Sequence, residues 1–242
     1  METLIDAGYY VSSFGFLVAT ILMGTAVRKF GASSLGSIFY YLFIGTGIFF
    51  VITVFQKLGN SFFGISDASM DIWWHLMFYM AFFFYFSSMK LLSGLGSAEG
   101  QDGKSVKIGA EKKWGMLAVV LLVIIFIVPS WAEGVVTAYD ASPLGVLGLH
   151  HFLSFILAAV VGSYLLSAKK NLGMIGKAIA NPMVLTMWAF AAQHFWELLF
   201  ESWKVVVVTS EFGEGIERIF LLIAAVGVIY AAVRLHSFAK GA

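Results

Sequence analysis

Residues 35–55 read LGSIFYYLFIGTGIFFVITVF, twenty-one consecutive positions without a charged side chain. A helix rises about 1.5 Å per residue, and the hydrocarbon core of a bilayer is about 30 Å thick, so about 20 such residues reach across it. Lipid offers the backbone no hydrogen-bond partners, and a helix satisfies its own. The stretch therefore predicts a transmembrane helix. Six more stretches share its character, at 7–27, 72–92, 114–131, 144–167, 183–203 and 216–235. The expected fold is an all-α integral membrane bundle of seven transmembrane helices, one domain over residues 1–242.

Composition agrees. Apolar residues make up 60% of the chain and charged ones 12%, against about 45–50% and 25% in ordinary globular proteins. A soluble core could not hide that much apolar surface. The net charge of +1 lacks the clustered cationic face that a nucleic-acid partner needs. With no cysteine in the chain, thiolate chemistry, disulfides, iron–sulfur clusters and covalently attached haem are excluded. Any metal must be held by His, Asp, Glu, Met or backbone oxygen. No basic residue precedes the first apolar run, so the first helix is expected to remain rather than be cleaved as a signal.

The basic residues set the expected orientation. Arg28, Lys29, Lys90, Lys104, Lys107, Lys112, Lys113, Lys169, Lys170, Lys177, Arg234 and Lys240 fall on one side, leaving only Lys57, Lys204 and Arg218 on the other. The positive-inside rule makes the first side cytoplasmic, giving a cell-membrane protein with its N-terminus outside and its C-terminus inside. Trp73, Trp74, Trp131, Trp196 and Trp203 are placed near the outer interface, as an aromatic belt. Ser142-Pro143 and Asn181-Pro182 each set a capping side chain before a proline at the first helical position, and 205–208 is a β-branched run suited to a short extended segment. Gly15, Gly24, Gly36, Gly45 and Gly47 let the first two helices approach neighbours closely. Phe78, Phe82, Phe83, Phe84 and Phe86 give the third an aromatic face for lipid or packing.

Ionisable residues within membrane helices are costly and mark function. Here they share a level. Asp71 and His75 begin the third helix, His150 and His151 lie about two turns into the fifth, and His194, Glu197 and Glu201 occupy the outer half of the sixth. Four of the five histidines thus fall at an estimated ~5–14 Å below the outer helix ends. Asp71 and His75, four apart, share a helix face, as do His194, Glu197 and Glu201. His150 and His151 point about 100° apart, so one of the two is expected to face the site.

Three readings follow. Two of His75, His150, His151 and His194 could be axial ligands of a b-type haem held between helices. Gly145 and Gly148 would then admit the macrocycle, and Lys204 and Arg218 would pair with its propionates. Alternatively, His75, His150 and His194 with Glu197 or Asp71 could bind a transition-metal ion such as zinc, iron or copper. In the third reading the histidines are polar spacers of a structural subunit and bind nothing. Haem is the working expectation, in a redox subunit of a larger membrane electron-transfer complex. No helix has a lysine at mid-depth, which excludes a Schiff base of the microbial-rhodopsin kind. Prolines confined to helix ends argue against the broken helices of a transporter.

Overall fold

The computed structural model describes residues 2–31, 33–63, 67–97, 137–169 and 174–241. These residues form helices and turns, with no strand among them. The helices are α1 (Glu2–Phe30), α2 (Ser34–Phe63), α3 (Asp67–Ser97), the short α4 (Pro143–Val146), α5 (Leu149–Ala168), α6 (Met174–Glu197) and α7 (Ser210–Gly241). A single turn of π-helix, Leu198–Ser202, extends α6.

Five of these helices carry stretches long and apolar enough to cross a membrane: Asp6–Phe30, Leu35–Gln56, Trp73–Leu92, Leu149–Ser167 and Ser210–Gly241. The expected span at 114–131 lies outside the described residues. The expected span at 183–203 differs from its element. It begins earlier, at Met174, runs straight through Pro182, and is not one of the five. Asn181 does not cap a helix start; its side chain accepts from Lys169 Nζ at 3.5 Å. The 205–208 run follows the π turn as irregular chain.

The six long helices form a closed ring of neighbours. α1 packs on α2, α2 on α3, α3 on α5, α5 on α6, α6 on α7, and α7 back on α1. Aromatic rings fill the middle. Phe49 of α2 stacks on Phe190 of α6 at 4.5 Å between centroids, across the ring rather than along it. Phe78 and Phe82 of α3 close on the same pair, at 5.2 and 5.7 Å from Phe190. The aromatic face of α3 is therefore mostly core: Phe78, Phe82 and Phe84 are buried, while Phe83 is exposed.

Lipid tails are as apolar as leucine, so close packing and interhelical hydrogen bonds hold such a ring together. Of the glycines expected to allow close approach, Gly15, Gly24 and Gly45 meet a neighbouring helix closely, whereas Gly36 is crowded by its own preceding turn and Gly47 has room to spare. A Cβ on Gly45 would lie 2.9 Å from the Tyr85 ring of α3. Beside it, Thr46 Oγ1 meets Tyr85 Oη at 3.1 Å and Met23 Sδ at 3.3 Å, tying three helices together. On the other side of the ring, Thr186 Oγ1 lies 3.0 Å from the Pro182 carbonyl and 3.3 Å from that of Ala224 in α7. A Cβ on Gly227 would sit 2.3 Å from that hydroxyl.

At one end, Ser142 caps α4 as expected, accepting from Gly145 N at 3.2 Å with Pro143 first in the helix. The helix then stops. Gly148 takes a left-handed conformation (φ 65°) and α5 starts at Leu149. The sequence reading had one helix over 144–167. The break puts His150 and His151 in the first turn of α5.

Candidate metal centre

Among the described residues, six helix ends meet at one end of the bundle: the starts of α1, α3, α5 and α7, and the ends of α2 and α6. Every candidate site residue collects there. His75, His151 and His194 are all but fully buried, and so is Glu197. Each offers one ligand atom, and these four atoms lie within 4.8 Å of one another. Asp71, His150 and His151 form a second group within the same limit, nearer the surface.

Glu197 organises the cluster. Its Oε2 accepts from His194 Nδ1 at 2.5 Å and faces His151 Nδ1 at 3.1 Å. Its Oε1 accepts from Gln193 Nε2 at 2.9 Å. The π turn, marked by the Trp203 N–H donating to the Leu198 carbonyl at 2.8 Å, carries Glu201. Its Oε2 lies 3.4 Å from His151 Nε2. Single π turns of this kind are frequent at functional sites.

His75 is fixed from behind. Its Nδ1 lies 2.8 Å from the Asp71 carbonyl oxygen and 3.4 Å from Asp71 Oδ1. A carbonyl only accepts, so Nδ1 carries the proton and Nε2 keeps its lone pair. That Nε2 is buried with no hydrogen-bond partner, as is Nε2 of His194, whose Nδ1 is engaged by Glu197. Imidazoles that ligate metals have this arrangement: one nitrogen held by a carbonyl or carboxylate, the other free. A buried ring nitrogen without a partner costs about 1–3 kcal/mol, and a metal ion in the cluster would remove that cost.

His150 and His151 face different partners. Their rings are 4.2 Å apart. His151 faces the two glutamates, while His150 Nε2 meets Asp71 Oδ2 at 3.1 Å and its Nδ1 meets Tyr139 Oη at 3.2 Å. Asp71 precedes the apolar stretch of α3. Burial pushes its carboxyl upward, but attraction to the His75 ring and hydrogen bonds from His150 and His75 outweigh this and hold it well below the usual carboxylate range.

A b-type haem finds no support in this arrangement. Two axial imidazoles must face each other across a flat macrocycle. Here the rings lie against each other, His75 at 4.6 Å from His150, 4.8 Å from His151 and 5.2 Å from His194, and Phe78 closes on His194 at 4.3 Å. Gly148 makes room for the chain itself, because a Cβ there would sit 2.1 Å from Ser202 Oγ. Arg218 pairs with Glu217 at 3.4 Å and lies over the Tyr9 ring at 3.7 Å. Lys204 is exposed, in a left-handed turn with φ 51°.

The aromatic belt also reads differently. Trp73 and Trp74 are buried, Trp196 donates to the Gly213 carbonyl at 3.0 Å, and Trp131 lies outside the described residues. The fifth histidine, His236, meets Thr25 Oγ1 at 2.7 Å at the far end of the bundle. Beside the cluster is a cavity of about 390 Å³, lined by His151, Glu197, Glu201, Glu214, Glu217 and Arg218 among others.

Comparison with protein-family models, curated proteins and solved structures finds no match for this chain.

Proposed function

We propose that this is an integral membrane protein that holds a first-row transition-metal ion through His75, His151, His194 and Glu197, as a metal-dependent membrane enzyme or the metal-binding subunit of one. The observation that carries the proposal is the grouping of His75, His151, His194 and Glu197, one ligand atom from each within 4.8 Å of the others, in which His75 and His194 each also keep a buried Nε2 without a partner among the described residues. Three imidazoles and one carboxylate without sulfur suit zinc, iron or copper. Metal–nitrogen bonds of about 2.0–2.1 Å put neighbouring ligand atoms about 3.3–4.2 Å apart, so separations of up to 4.8 Å close with side-chain shifts below about 1 Å.

The cavity beside Glu197 leaves room for a water or substrate on the ion, the feature that separates catalytic from structural sites. A bound ion there would polarise that ligand and lower the pKa of a bound water. On the charge distribution in the sequence, the site is at the outer face of a bundle of up to seven spans, with a cytoplasmic C-terminus and with other membrane subunits as partners. Elemental analysis of protein purified from membranes without chelator tests the reading. One equivalent of a transition metal, lost in His194→Ala while membrane insertion is retained, supports it. Metal-free wild-type protein that takes up neither Zn²⁺, Fe²⁺ nor Cu²⁺ on reconstitution sinks it.

A further inference from the structure

The cavity beside the cluster differs from an ordinary polar pocket in what its walls offer. Its carboxylates, Asp71, Glu197, Glu201, Glu214 and Glu217, face a single guanidinium, that of Arg218. The side chains of Asp71 and Glu201 are 43% exposed and that of Glu214 41%, so this rim meets solvent. Glu217 is 5% exposed and Gln193 1%. Deeper in, the buried oxygens Gln193 Oε1, Glu217 Oε1 and Gln56 Oε1 have no hydrogen-bond partner among the described residues, and neither has the one buried donor beside them, Arg218 Nε. The amide of Gln193 has a definite orientation, because its Nε2 donates to Glu197. Its oxygen is therefore left as an acceptor.

A net-negative chamber whose unpaired groups are mostly acceptors suits a positively charged guest rich in donors. A hydrated metal cation has that character: its water oxygens turn inward to the ion and every O–H points outward. Six waters at about 30 Å³ each fit within the 390 Å³ of the cavity. Dry metal ligands stand at one wall, since His151 and Glu197 line the cavity and belong to the buried cluster.

We propose that this chamber is a loading vestibule that draws a hydrated divalent cation from solution and hands it to His75, His151, His194 and Glu197. The inference rests on the metal-centre reading above and adds the route and the selectivity. Glu201, 3.4 Å from His151 and part of the exposed rim, is the carboxylate that spans entrance and site. As the ion sheds its waters, each is replaced by an imidazole nitrogen or a carboxylate oxygen, and the released waters remain on the Gln193, Gln56 and Glu217 oxygens. Clefts lined with one sign of charge raise association rates 10–10³-fold, an effect that falls steeply with ionic strength.

The test uses the full chain in detergent micelles, stripped of metal and mixed rapidly with Co²⁺, whose visible absorbance reports entry into the His/Glu site. Uptake by wild type should be fast at low salt and slow markedly as salt is raised. Glu217→Gln and Glu214→Gln should each slow uptake severalfold at low salt, and together about tenfold. The salt dependence should flatten, and the final Co²⁺ spectrum should match wild type. Glu214 is exposed at the rim, so its variant keeps the test meaningful even where Glu217→Gln folds poorly. Wild-type rates in Glu214→Gln and in the double variant, with a normal final spectrum, overturn the vestibule and leave the metal centre intact. Failure of wild type to develop any Co²⁺ spectrum overturns both.

Discussion

Replacing Glu197 with alanine removes the one acceptor shared by three buried donors. His194 Nδ1 at 2.5 Å, His151 Nδ1 at 3.1 Å and Gln193 Nε2 at 2.9 Å all converge on its carboxylate. Each stranded donor costs about 1–3 kcal/mol, and breaking a buried charge pair by removing one partner costs about 3–5 kcal/mol. Some of the loss returns as the imidazoles reorient toward Glu201, so the net cost is expected at about 3–5 kcal/mol. A chain of this size shifts its melting temperature by about 2–4 °C per kcal/mol, which gives a fall of about 6–20 °C. The assay is thermal unfolding in detergent with excess EDTA, so that no bound ion contributes. Glu214→Ala serves as the control: its carboxylate is 41% exposed and 4.0 Å from Arg218, and an exposed pair is worth at most about 1 kcal/mol. A Glu197→Ala variant melting within about 2 °C of wild type under chelation would refute the claim that Glu197 holds the cluster together.

His75→Ala should lower affinity for Zn²⁺ by more than the 10–100-fold typical of losing a supporting hydrogen bond, whereas Asp71→Asn should fall within that range; competition with a chromophoric chelator measures both. Metal should be released on acidification, because imidazole must be unprotonated to bind an ion. Retention is expected above and progressive loss below the usual imidazole range of about 6.5, read as free metal against pH; release that is flat from pH 7.5 to 5 would argue against a histidine-rich site. Gly47→Ala, whose Cβ would meet only Thr20 Cγ2 at 3.7 Å, should be neutral or stabilise by up to about 1 kcal/mol from helix propensity. Gly227→Ala, whose Cβ would sit 2.3 Å from Thr186 Oγ1 and 2.9 Å from the Pro182 carbonyl, should instead cost about 1–3 kcal/mol as α6 and α7 are forced apart; equal melting temperatures for the two would contradict the packing.

Helices and the shared level of His75, His150, His151 and His194 were legible in sequence, because both follow from counting residues along apolar runs. Three local events were not. The π turn at Leu198–Ser202 changes the period by one residue in the segment that carries Glu201. The left-handed Gly148 breaks what reads as one apolar run and moves His150 and His151 to a helix start. Pro182, read as a helix start, sits inside α6, where packing against Gly227 of α7 supports the turn. The vestibule was missed for a related reason. Glu214 lies ahead of, and Glu217 at the edge of, the helix expected from residue 216. α7 starts at Ser210, so both lie on helical turns and line the cavity. The signal for an earlier start is Thr209, whose hydroxyl accepts from the Phe212 N–H at 3.3 Å as a helix cap does.

The stack of Phe49, Phe78, Phe82 and Phe190 across the ring has an electrical consequence. It fills the axis immediately beneath His194, and Phe78 touches that histidine directly. On the proposed reading, with this end of the bundle at a membrane face, a cation reaching the cluster from the carboxylate-lined end would stop there and traverse only a small fraction of the voltage drop across the bilayer. A full crossing is worth about 2.3 kcal/mol per charge at 100 mV, so a shallow site feels only a correspondingly small part of it. Occupancy should then follow the ion concentration of one compartment and ignore the membrane potential, which makes this end of the bundle a terminus rather than a conduit.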